Sequence, residues 1–141
     1  MEVFTEEWCV ACCERLNQRA SYRTAAAGWE GAAVLLMSAD PAHGNHQDRA
    51  VWLDINNGLC RGTRIATPED LETAPYLFRA GPAEWKRLLA GEVDPVAAVM
   101  TGKLKLSRGN LFTLARYAAA AREMVHAAGE VGGTFPPAAE G

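Results

Sequence analysis

Leu89-Ala90-Gly91-Glu92-Val93-Asp94-Pro95-Val96-Ala97-Ala98-Val99-Met100, continued past Thr101 by Gly102-Lys103-Leu104-Lys105-Leu106, is the stretch on which the fold turns. It holds two helix boundaries and a strand. Gly91 closes a helix that Gly81-Pro82 opens and that buries Trp85, Leu88 and Leu89, because glycine takes the left-handed conformation a helix C-terminus asks for. Asp94-Pro95 opens the next helix, a capping side chain followed by a proline whose missing N–H costs nothing at the first helical position. Val96, Val99 and Met100 are its apolar face and Gly102 stops it. Lys103-Leu104-Lys105-Leu106-Ser107 then alternates polar with apolar, the pattern of an edge strand on which lysines discourage further pairing.

Working upstream, Tyr76-Leu77-Phe78-Arg79-Ala80 is aromatic and strand-like, and Thr67-Pro68-Glu69-Asp70 starts a short helix that Pro75 ends. Val51, Leu53 and Ile55 alternate with Trp52, Asp54 and Asn56. Asn57-Gly58 then predicts a two-residue hairpin that sets Asp54 opposite Arg61, with the returning strand over residues 59–65. Residues 32–39 are a short apolar run that fits a buried strand, followed by a loop over 40–46. Near the start, Thr5 caps a helix over residues 6–20, reaching toward residues 25–27, with Trp8, Cys9, Cys12, Cys13, Leu16 and Ala20 in one sector. Downstream, Asn110 caps one last helix with Leu111, Leu114, Ala118, Ala121 and Val125 at helical spacing. Its alanines either leave space or let helices approach closely. The strands come in hairpins rather than alternating with long helices, so the fold class is α+β, with a largely antiparallel sheet covered by helices. One domain is expected over residues 1–128, and residues 129–141, rich in glycine and proline, read as a disordered tail.

The stretch from Pro75 through Trp85 to Leu106, with Leu-Ala-Gly-Glu-Val-Asp-Pro followed by a helix ending in Met100 and then Gly-Lys-Leu-Lys, resembles the sterol carrier protein type 2 family, a sterol-binding or lipid-transfer domain. The helix, strand and hairpin upstream are similar to that family as well. The resemblance implies a five-stranded sheet covered by helices around a hydrophobic cavity. Fatty acids, acyl chains or sterol-like and isoprenoid-like molecules bind in it without chemistry. Carried onto this sequence, it implies a lining of Leu35, Met37, Phe78, Trp85, Leu88, Val99, Met100, Leu104, Leu106, Leu114 and Tyr117. It also implies an apolar ligand as partner, no cofactor, no catalytic residue and, as in some relatives, a partner enzyme. One departure is plain: peroxisomal members end in a tripeptide like Ser-Lys-Leu, and residues 139–141 are Ala-Glu-Gly. A scaffold module of the same fold with a filled core is the alternative.

Composition limits the rivals. The 141 residues are 49% apolar and 22% charged with net charge -3, so nothing basic invites nucleic acid or an anionic membrane. No run of about 18 apolar residues forms an integral membrane segment. The acidic start does not read as a signal peptide, so the expected location is the cytoplasm, with all four cysteines reduced. Trp8-Cys9-Val10-Ala11-Cys12-Cys13 suggests thiol redox chemistry or zinc as a further alternative. Too few residues precede Cys9 for the strand that redox chemistry needs, and the cysteines read as small core residues. A zinc site would have to be completed by Cys60, His43 or His46, without a second paired motif. Gly102-Lys103 fails as a phosphate loop because Leu104 stands where Ser or Thr should bind magnesium. His126 near the end of the last helix is explained by the helix dipole.

Overall fold

The structure, a computed structural model, describes residues 1–137. Helix α1 (Glu6–Asn17) begins at Thr5, whose hydroxyl accepts the Trp8 N–H at 3.3 Å, and Glu6 and Glu7 sit at the positive end of its dipole. Trp8, Cys9, Cys12, Cys13 and Leu16 form its buried face. The chain does not run on as one helix: it breaks at Arg19 (φ −96°, ψ 105°) before α2 (Ala20–Ala25). The break frees the Arg19 guanidinium to reach Glu123 at 2.7 Å and Glu130, both on the last helix.

Five strands follow: β1 (Ala33–Met37), β2 (Arg49–Asn56), β3 (Leu59–Ile65), β4 (Tyr76–Ala80) and β5 (Lys105–Arg108). They form one sheet in the order β3-β2-β1-β4-β5. Only the central β1–β4 pair is parallel; the other three are antiparallel, so the sheet is mixed and largely antiparallel as expected. The hairpin turns through Asn57 (φ 52°) and Gly58 (φ 87°), both left-handed. A Cβ on Gly58 would also lie 2.6 Å from the Arg23 carbonyl, so glycine is needed twice over. Asp54 and Arg61 pair across the hairpin at 3.1 Å. Helix α3 (Pro68–Thr73) carries a full capping box between Thr67 and Asp70.

Helices α4 (Pro82–Leu89) and α5 (Pro95–Met100) lie where the sequence places them, and the Asp94 carboxylate accepts the Ala97 N–H at 3.0 Å. The single last helix is in fact two: α6 (Leu111–Arg116) and α7 (Ala118–Val131) meet at Tyr117, whose backbone (φ −102°, ψ 30°) leaves the helical range. Helix α1 lies on β2 and β3, and α7 packs across α1, α2, α4 and α5. The main core is thus on one face of the sheet. The other face holds a small cluster of Val34, Ala74 and Leu77 with Trp52 and Leu71 against it.

The expected tail begins differently. Helix α7 runs to Val131, and beyond it the Thr134 N–H donates to the Met1 carbonyl at 2.8 Å while the Val3 N–H donates to the Thr134 carbonyl at 3.1 Å. The segment after α7 thus pairs its backbone with the N-terminus despite its glycines. Residues 138–141 lie outside the described residues. Among the described residues no helix is long and apolar enough to cross a membrane.

Candidate functional site

A cavity of about 60 Å³ lies between the sheet and the helices. Helix α1 contributes Trp8, Cys12 and Leu16 to its wall, and the strands contribute Ala33, Leu35, Leu53 and Phe78. The α2–β1 loop supplies Trp29, helix α4 supplies Trp85 and Leu89, and Pro95 and Leu104 come from the start of α5 and the segment after it. Helix α7 closes it with Ala121, Met124, Val125 and Ala128. None of these side chains is charged.

Ala121 and Ala128 are seven residues apart, two turns along one face of α7, and both small side chains line the cavity. The same helix also approaches closely elsewhere, since a Cβ on Gly129 would lie 2.3 Å from the Leu89 carbonyl oxygen.

Three indoles line the cavity. Trp8 Nε1 donates to the Gly132 carbonyl at 3.1 Å and Trp85 Nε1 to the Leu36 carbonyl at 2.9 Å. Trp29 is 3% exposed and its Nε1 has no acceptor among the described residues. Trp29 stacks on Tyr117 (centroids 5.5 Å apart, planes at 6°) and meets Tyr76 edge-on at 5.7 Å.

A second recess, about 150 Å³, is lined by Leu88, Gly91, Val93, Asp94, Arg122 and His126. Pro95 and Val125 belong to both spaces, so they form the partition. Arg122 Nε donates to Asp94 across this recess and ties the start of α5 to α7.

The cysteines are not a reactive set. Burial pushes the Cys12 thiol up to about 12 and raises Cys9, which holds both in the unreactive protonated form. Cys13 and Cys60 are joined as a disulfide with Cα atoms 5.4 Å apart, a correction to the expectation of four thiols. The packing of α1 on β3 brings these two together across 47 residues. Among the described residues no group of three or more His, Cys, Asp or Glu is placed to hold a metal. His43 instead contacts its neighbour Asp40 at 2.7 Å.

Of the eleven residues carried over from the resemblance, the structure brings Leu35, Phe78, Trp85 and Leu104 to the cavity. Met37 and Leu114 are buried in the surrounding core, and Leu88 lines the second recess. Val99 and Leu106 are half-buried against the core, and Tyr117 stands behind Trp29. Met100 is a correction: it is 73% exposed, because the last turn of the six-residue α5 turns Ala98 into the core and Met100 outward. The sequence missed Trp29, which sits in a loop with no periodicity to read. It also missed Trp8, Cys12 and Leu16 as cavity residues, although their burial was legible. Any helix face reads as core until the partner face is known to fall short.

With this geometry in hand, known proteins can be set beside the chain. The profile described as the SCP-2 sterol transfer family matches residues 13–122. A crystal structure of sterol carrier protein 2 is 40% identical, with a TM-score of 0.83 over 92% of this chain and 98% of that one. A conserved hypothetical protein from Thermus thermophilus, described as a candidate sterol carrier protein, is also 40% identical, with a TM-score of 0.84 over 95% and 92%. The apo form of sterol carrier protein 2 from Yarrowia lipolytica is 18% identical and shares the fold, with a TM-score of 0.57 over 84% and 87%. No curated protein matches the chain significantly.

Proposed function

The chain belongs to the SCP-2 sterol transfer family, and on that footing we propose that it carries a lipid-like apolar molecule in the cavity beneath α7, without a chemical step. Lipid binding or transfer in general follows from the family and the fold, a carrier fold that is generally not enzymatic. The observation that supports the finer reading is the wall itself: sixteen side chains, none charged, around a space that α7's alanines leave unfilled.

Burial supplies the affinity. Each methylene moved out of water is worth about 0.8 kcal/mol, so a ten-carbon chain gains roughly 8 kcal/mol before the cost of ordering it is subtracted. The cavity at about 60 Å³ is smaller than the roughly 300–1,000 Å³ of ordinary ligand pockets. Loading therefore expands it, and the wall that yields is at Val125, half-buried and shared with the second recess, beside the half-buried Met124.

Filling the space from the protein side tests this. Ala121→Leu places a branched side chain where the ligand would sit. It should weaken binding of a fluorescent fatty acid at least tenfold while costing stability only about 1–3 kcal/mol, the usual range for overpacking. A folded Ala121→Leu protein that binds as the parent does would contradict the location.

A further inference from the structure

We infer that the ligand bears a neutral oxygen acceptor, such as an ester or ketone carbonyl or a hydroxyl, and that this oxygen accepts a hydrogen bond from Trp29 Nε1 inside the cavity. The inference rests on the carrier reading and sharpens it from an apolar molecule to an apolar molecule with one inward neutral oxygen.

Three indoles share one wall, and they are not alike. Trp8 and Trp85 both donate to backbone carbonyls, as buried N–H groups nearly always do. Trp29 is as deeply buried, at 3% exposure, and donates to nothing among the described residues. Leaving a donor dry costs more than a hydrogen bond returns, so an orphan on a cavity-lining residue points to a partner that arrives with the ligand, reaching Nε1 as loading widens the space, since the atom has no accessible surface beforehand.

Nor is Trp29 free to turn away and find one. Its ring is held between Tyr117, stacked at 5.5 Å, and Tyr76, edge-on at 5.7 Å. Its backbone N–H donates to the Ala26 carbonyl at 2.9 Å, and its own carbonyl accepts from the Asn57 N–H at 2.8 Å. The loop before it is tied as well, since the Gly28 N–H donates to the Asn57 side-chain oxygen at 2.6 Å. The ring is therefore held from two sides as the cavity widens around a ligand, which is how a site selects one polar feature from an otherwise featureless chain.

The charge of the partner oxygen follows from the rest of the wall. Among the described residues no lysine, arginine or histidine lines the cavity. An ionised carboxylate drawn in beside Trp29 would gain one hydrogen bond and lose its hydration with no counter-charge, a large net cost. A carbonyl or hydroxyl loses far less. A free fatty acid would keep its carboxylate in water and leave Trp29 unpaired.

Three probes of similar length separate the cases: dodecane, methyl decanoate and decanoate, each titrated into the full chain and into Trp29→Phe, which keeps an aromatic ring and removes the donor. Methyl decanoate should bind the parent and lose about tenfold in Trp29→Phe. Dodecane and decanoate should change less than twofold. An equal loss for all three, or no loss for the ester, overturns the inference while leaving the cavity in place. If the parent binds none of the three, the carrier reading falls and takes this one with it. Should Trp29→Phe not fold, the parent alone decides: the Trp29 indole proton resonance should move downfield with methyl decanoate and not with dodecane, and the same shift with both would refute the hydrogen bond.

Discussion

Asp70 shows how a single residue can be read from its neighbours in sequence and again from its partners in space. Thr67-Pro68-Glu69-Asp70 announces a helix start, and the structure supplies the rest: Arg64 on β3 grips the Asp70 carboxylate at 2.7 and 3.0 Å and lies 3.8 Å from the Trp52 ring centre. The Arg64 hydrogen bonds, joined by that of Thr67, hold the Asp70 carboxyl down at about 2. A depressed folded value means stability that is present above the unfolded value of about 3.9 and is lost as pH falls through about 2. Asp70→Asn should therefore flatten the acid limb of the stability curve between about pH 4 and pH 2, measured by urea unfolding across that window. An unchanged acid limb would show that Asp70 is ionised no more readily in the folded state.

At the scale of elements, the sequence is most legible where local chemistry decides. The Asn57-Gly58 hairpin, the Asp54–Arg61 pair and the starts of α3, α4 and α5 all follow from turn and capping residues. It is least legible where tertiary contacts override a local preference. Arg19 breaks the first helix to reach Glu123, and Tyr117 breaks the last one where it stacks on Trp29. Nothing within a few residues of either break signals it. The Cys13–Cys60 bond is a third such case, since it depends on α1 lying against β3. It ties helix to sheet at the edge of the core. Thiol titration after unfolding without reductant should find two thiols, from Cys9 and Cys12, and four after reduction. Replacing Cys13 and Cys60 together by alanine should cost about 2–4 kcal/mol of stability in urea unfolding. Four thiols before reduction would contradict the pairing.

For the molecule as a whole, family and fold class were open to reading from Gly91, Asp94-Pro95 and Gly102-Lys103, because those residues set the chain direction at three successive boundaries. The cavity was not. A cavity is a shortfall between surfaces, and a shortfall leaves no residue type behind. Leu35 and Phe78 could be found from the strand-like runs that hold them, whereas the cavity-facing Ala121 and Ala128 look like any helix-packing alanines until the distance to the sheet is known. What the assembled molecule adds is the setting of the cavity: sheet and α1 on one side, Trp29 between Tyr117 and Tyr76 in the α2–β1 loop, and Pro95 and Val125 between it and the recess that the Arg122–Asp94 pair spans.

The most direct test of the carrier reading is native mass spectrometry of the freshly purified full chain, run beside Ala121→Leu and followed by organic extraction of the bound fraction. The parent should hold a near-stoichiometric apolar molecule that contains oxygen but no ionised group, and Ala121→Leu should be empty. A parent chain that is empty and also refuses methyl decanoate would contradict the claim that this fold serves here as a carrier.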